Sequence, residues 1–232
     1  MNICPEYEAL DIGEGMLKAG AEVFRVEDTI KRILLSKGIK YVNVFCISSL
    51  ILISSENGSF SRRVTGSNID LALLDSYNSL SRSICENKSY AVKEFSYPVI
   101  LNLICVIIAT GSFCLYFGGT VYDGLIAGMA GIIIFMRKNK ISISFSNTFA
   151  DGFIASLIAG VLSSLFPALN YDKIMIGAIM LLVPGLIITF SIRDFMFSDT
   201  ISGINELFEA VFTALAIAIA SAFGTVVTAW IK

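Results

Sequence analysis

Histidine is absent from all 232 residues. Its absence removes an imidazole general base, a serine–histidine pair and any histidine-held metal or proton relay. Proton chemistry, if there is any, falls to carboxylates. The five cysteines, Cys4, Cys46, Cys85, Cys105 and Cys114, form no CxxC pair and no metal-ligand spacing. They read as apolar thiols of a reduced compartment, so no metal and no cofactor is expected. No Walker-type glycine–lysine loop occurs, which argues against ATP as the driver. A sequence pI near 5.2, without a basic cluster, argues against nucleic acid. The first residues carry Glu6, Glu8, Asp11 and Glu14 without an apolar run, so no signal peptide is expected.

Charge is scarce in one part of the chain only. Residues 1–97 hold 23 Lys, Arg, Asp and Glu (11 basic, 12 acidic), and the remaining 135 residues hold 13. In that poorer part five long apolar segments follow one another: 98–118, 120–136, 141–169, 174–192 and 207–231. A helix needs roughly 20 apolar residues to cross a bilayer, with a range of about 17–25. The expectation is an α-helical membrane protein with five transmembrane helices. The second is short, so Tyr122 and Asp123 belong at its interface. Residues 1–97 precede them as a small α+β domain.

Basic residues orient the spans. Lys88 and Lys93 precede the first segment, Arg137, Lys138 and Lys140 follow the second, and Arg193 follows the fourth. The alternate loops are nearly free of them, with only Lys173 after the third segment and Lys232 at the end. The positive-inside rule places residues 1–97 in the cytoplasm and the C-terminus outside, in a multi-pass protein of the plasma membrane. Five spans cannot contain two equal inverted repeats, although a partner of opposite orientation could supply the second.

Within residues 1–97, helical periodicity covers 7–19, 22–36 and 69–86, with alternation at 40–48 and 50–55. Asn57-Gly58 reads as a two-residue hairpin turn returning through Phe60 to Val64. Ser67 or Asn68 can cap the last helix, with Asp70 in its first turn. The order is ααβββα around a three-stranded sheet.

The stretch Ala19-Gly20-Ala21-Glu22-Val23-Phe24-Arg25-Val26-Glu27-Asp28-Thr29 packs four charges into a helix start. Taken alone, it suggests Arg25 pairing with Glu22 or Asp28 at i,i+3 spacing. It also resembles the signature that opens the cytosolic domain of the threonine/serine exporter family. The resemblance continues through Tyr77-Asn78-Ser79-Leu80-Ser81-Arg82, Phe117-Gly118-Gly119, Val183-Pro184-Gly185-Leu186, Arg193-Asp194 and Asp199-Thr200-Ile201-Ser202-Gly203. Ser198 departs from the glycine expected before Asp199. Family members of full length have about ten spans. The resemblance therefore implies the larger subunit of a split form, completed by a five-span small subunit, and includes exporters of succinate-like dicarboxylates. Implied partners are that subunit, membrane lipid and a small carboxylate substrate, in an oligomer.

Several residues are candidates for the transport path. Asp151, with Asn147 one turn before it, is a carboxylate at membrane depth if its span begins at 141, and an interfacial residue if the span begins later. Pro184-Gly185 interrupts the fourth segment, as a broken helix or as a tolerated kink. Arg193, Asp194, Asp199, Glu206 and Glu209 gather around the boundary that follows. Gly124 and Gly128, and Ala214, Ala218 and Ala222, have small-residue spacing suited to close helix packing. The leading reading is a subunit of a proton-coupled exporter of small carboxylates. The alternative is a membrane-anchored regulatory or hydrolase-like domain using Glu22, Glu27 and Asp28.

Overall fold

The computed structural model describes residues 4–66, 69–86, 88, 91–93, 96–138, 144–197 and 199–231. Ser67, Asn68, Lys140, Ser198, Lys232 and the start of the third apolar segment lie outside them. Contacts divide the chain into two units, Met1–Ser96 with Thr189–Glu206, and Tyr97–Ile188 with Leu207–Lys232.

The first unit opens with α1 (Pro5–Lys18) and α2 (Val23–Ser36). A three-stranded antiparallel sheet follows, β1 (Asn43–Ile47), β2 (Leu50–Ser55) and β3 (Gly58–Arg63), in the order β1-β2-β3. Next comes α3 (Leu71–Cys85), giving the expected ααβββα order. Alternation along β2 sends Ile51 and Ile53 into the core and leaves Leu52 exposed. The core joins them to Leu10, Met16, Val26, Ile30, Ile33, Leu34, Cys46 and Leu74, all fully or nearly buried. Asp70 is the cap of α3; its carboxylate accepts from the Leu73 amide at 2.9 Å. The hairpin turn sits one residue earlier than the sequence suggests. Ser55 pairs with Gly58, so Glu56 and Asn57 make the turn. The left-handed conformation falls on Gly58, at φ 128°, which only glycine tolerates well. Asn57 instead donates its side-chain amide to buried Glu6 at 2.8 Å.

The second unit contains α4 (Val99–Tyr116), α5 (Val121–Lys138), α6 (Ser144–Leu165), α7 (Tyr171–Ile179) and the first residues of α8 (Gly185–Met196). It also holds most of α9 (Thr200–Ile231). Gly118, at φ 86°, closes α4 in the left-handed conformation that glycine adopts freely. Helices α4 and α5 approach backbone to backbone: a Cβ added at Gly111 would stand 3.2 Å from the Gly124 carbonyl. A Cβ at Gly128 would stand 3.1 Å from the Ile107 side-chain Cγ2. The expected alanine face of α9 is displaced. Ala214, Ala218 and Ala222 are exposed, while Ala216, Ala220, Gly224 and Thr228 are covered. Gly152, Ser156 and Gly160 on α6 select that second small-residue row, because a Cβ at Gly160 would collide with Thr228.

Among the described residues three helices are long and apolar enough to cross a membrane: Val99–Tyr116, Phe145–Leu165 and Thr200–Trp230. The fourth apolar segment is not one helix. It divides into α7 and α8, because Pro184 cannot donate to a continuing helix and its ring clashes with the turn before it. The Leu182 amide closes a tight turn on Ile179 at 2.8 Å, and helical bonding resumes with the Ile188 amide on the Pro184 carbonyl at 3.1 Å.

Candidate functional site

Two of the motifs singled out above lie 171 residues apart and meet within the first unit. Glu22 precedes α2 with extended backbone, φ −66° and ψ 139°, so its side chain is not committed to the helix. Its Oε1 accepts a hydrogen bond from Arg193 Nη1, forming an ion pair. Above the pair, the Phe24 and Phe197 rings stack with centroids 4.5 Å apart. The Arg193 guanidinium lies 4.7 Å from the Phe24 centroid and 5.7 Å from that of Phe197. Such cation–π contacts contribute about 0.5–2 kcal/mol depending on desolvation. An arginine fits here because its flat, weakly hydrated head can pair with a carboxylate and lie against rings at once.

More carboxylates surround this clasp. Asp194 is 1% exposed. Burial pushes its carboxyl up to about 6, and Asp199 and Glu22 push the same way against the pull of Arg193. The Asp199 amide donates to the Asp194 carbonyl at 2.9 Å. Glu27, on α2, accepts from the Cys46 amide at 2.6 Å, tying the motif helix to β1. Burial, with a further push from Asp199, raises Glu27 despite that amide. The Cys46 thiol is pushed well up by burial and by Glu27 and Asp199, which keeps it neutral. On α9, buried Ser202 has its amide 3.4 Å from Asp199 Oδ1. Ser191 Oγ donates to the Gly203 carbonyl at 2.8 Å, joining α8 to α9.

The motif residues therefore do not pair as their spacing suggests. Among the described residues the Arg25 side chain forms an ion pair with neither Glu22 nor Asp28, although its amide donates to the Glu22 carbonyl at 3.1 Å. Asp28 pairs with Arg32 at 3.0 Å on an exposed surface, a contact that adds little to stability. Thr29 is buried and accepts from Arg32 at 3.3 Å. Glu22, Glu27 and Asp28 thus point to three different partners. Among the described residues no three Cys, Asp or Glu side chains are placed to hold a metal ion.

In the second unit Asp151 is not a lone carboxylate. It lies about two turns into α6 and is 3% exposed. Arg137, near the end of α5, donates Nε to Asp151 Oδ1 at 2.6 Å and Nη2 to the Asn147 carbonyl at 2.6 Å. One guanidinium thus ties α5 to α6. Asp151→Asn keeps an acceptor but loses the charge, and is expected to cost about 1–3 kcal/mol. Thermal unfolding of the purified variant tests this; an unchanged midpoint would show the pair to be inert. Asp123 is likewise an internal fastener, wholly buried and bonded to Thr120 and Asn170. Glu209 is exposed and borders an open groove of about 370 Å³ with Phe145, Phe212 and Thr213. Pro184 is buried and Gly185 exposed at the helix break.

The threonine/serine exporter family model, ThrE, described as "Putative threonine/serine exporter", matches residues 8–228. The chain belongs to this family. The match takes in both halves of the Glu22–Arg193 clasp and the break at Pro184. No curated protein and no solved structure matches the chain. The family is one of transporters, and its apolar helices make this member a membrane protein. The local sequence did not reveal that Glu22 reaches Arg193, or that Ser202 and Asp199 join them. Only the recurrence of both stretches among the family motifs pointed to them.

Proposed function

We propose that the chain is a subunit of a secondary exporter for small carboxylate metabolites, with threonine and serine as the first substrates to test and C4-dicarboxylates as the second. The family match over residues 8–228 carries this reading. We take the membrane part as five spans, α4, α5, α6, the broken pair α7–α8 as far as Ile192, and α9 from Leu207 onward, in the plasma membrane with residues 1–97 cytoplasmic. Exposed side chains favour a lipid surround. Ile100, Ile104 and Ile108 stand 72%, 47% and 61% exposed along α4. Tyr116, Tyr122 and Trp230 are 82%, 73% and 88% exposed at the helix ends where interfacial aromatics sit.

The break between α7 and α8 favours transport over passive anchoring. Non-helical backbone at membrane depth persists only where protein or water covers it, and helix ends there can face a charged solute. An odd number of spans favours a separate five-span partner. Proton coupling is proposed on chemical grounds: a proton moved through 100 mV gains about 2.3 kcal/mol, and carboxylates are the titrating groups available.

Proteoliposomes containing the chain, with and without a co-expressed five-span protein of the same family, test the reading. Labelled threonine or serine should exchange only when both are present, and an imposed pH gradient should accelerate the flux. Flux through the chain alone would sink the split-subunit part. No flux of amino acids or dicarboxylates under either condition would sink the exporter reading.

A further inference from the structure

Among the described residues of the first unit, Glu22 Oε2, Asp194 Oδ2 and Ser202 Oγ are buried without a hydrogen-bond partner. Their residues are 7%, 1% and 0% exposed. A buried anionic oxygen without a donor is costly, and a carboxylate so placed relieves the cost by taking a proton or a cation. The charges around Asp194 do not balance. Arg193 beside it on α8 is the cation of the clasp, already held by Glu22. Against it stand Glu22 at the start of α2, Glu27 further along α2 and Asp199 ahead of α9. Glu206 lies one turn beyond Ser202 on α9, and β1 contributes only the Cys46 thiol, kept neutral by burial.

We propose that Asp194, with Glu22, Asp199 and Ser202 around it, is a proton-binding site, and that its occupancy sets how firmly Arg193 is held by Glu22. A proton needs no cavity, and it converts an acceptor oxygen into a donor, where the Ser202 hydroxyl is otherwise the cluster's side-chain donor. Asp194 takes it from water and becomes a neutral carboxyl, leaving the guanidinium to Glu22. When the proton returns to water, a second buried carboxylate competes with Glu22 for Arg193 and repels Asp199. The Glu22–Arg193 pair, which joins α2 to α8, then loosens. The elevated carboxyl of Asp194, about 6, places the change close to cytoplasmic pH.

The linkage has a definite sign. A carboxyl raised in the folded state stabilises the fold fully below its ordinary range near 3.8, and that contribution fades as pH rises through about 6. Wild-type protein should therefore lose thermal stability relative to Asp194→Asn across that interval. The direct test is a carboxyl titration of the full chain in lipid nanodiscs, labelled with carbon-13 at the aspartate carboxyl. One resonance should titrate near pH 6, vanish in Asp194→Asn, and move to lower pH in Asp199→Asn, where a like charge is gone. Asp199→Asn keeps the test decisive if Asp194→Asn fails to fold. Titration of Asp194 in the ordinary aspartate range would overturn the proposal. So would a midpoint that shifts with sodium or calcium at fixed ionic strength, which would mark a cation site. The readout needs no transport, so it stands or falls separately from the exporter reading.

Discussion

Replacing Asp123 with alanine is expected to cost about 3–5 kcal/mol, among the largest losses from any single side chain in the second unit. Asp123 Oδ2 accepts from the Thr120 amide and hydroxyl, each at 2.8 Å, and from Asn170 Nδ2 at 3.1 Å. Its Oδ1 accepts from the Asn170 amide at 2.8 Å. The Asp123 amide in turn donates to Thr120 Oγ1 at 3.2 Å, a reciprocal cap on α5. Because Asn170 begins α7, one wholly buried carboxylate satisfies the starts of two helices. Its removal leaves several donors without partners in an apolar setting. The unfolding midpoint of the purified protein in detergent should fall by about 10 °C, at roughly 2–4 °C per kcal/mol for a chain of this size. A fall of less than about 2 °C would mean that water replaces the carboxylate at little cost.

The second large effect concerns the clasp. Arg193→Ala should destabilise the first unit by about 3 kcal/mol, since it strands the Glu22 carboxylate, 8% exposed, without its cation. Adding Glu22→Gln removes the stranded charge, so the double variant should recover a good part of the loss. The two changes are expected to be non-additive by about 1–3 kcal/mol. Arg193→Lys should recover only part of the loss, because a compact ammonium cannot lie against Phe24 and Phe197 while pairing with Glu22. A full double-mutant cycle measured by thermal unfolding provides the check. Strict additivity would show that the pair, although formed, carries no net energy.

Much of the fold could be read from local pattern. The ααβββα order follows from helical periodicity in α1, α2 and α3 and from alternation in β2, where Ile51 and Ile53 are buried and Leu52 is not. The apolar segments were visible as charge-poor runs, and the proline at 184 marked the interruption. What escaped the reading was everything set by distant partners. Asp151 was placed only with Asn147, because its partner Arg137 lies on another helix and no local signal couples the two. The small residues of α9 offered two equally spaced rows, and only the glycines of α6 decide between them. Arg25 seemed the natural partner of Glu22 at helical spacing, but the extended backbone at Glu22 turns its side chain away to Arg193. The turn at Glu56-Asn57 was misplaced by one residue because Asn57 spends its side chain on Glu6, leaving Gly58 alone to take the left-handed conformation.

The separation of Glu22 and Arg193 has a consequence for how the chain is made. Ribosomes add about 5–20 residues per second, so the 171 residues from Val23 to Arg193 take on the order of 10–30 seconds to synthesise. During that interval α1, α2, the sheet and α3 have all emerged, and their apolar core can close. Yet Glu22 has no cation and Phe24 has no ring to stack on until α8 arrives. The N-terminal part must therefore wait with a wet carboxylate and a bare aromatic at one edge, and the last polar fastening of that unit is a late event, reached only after most of the membrane helices exist.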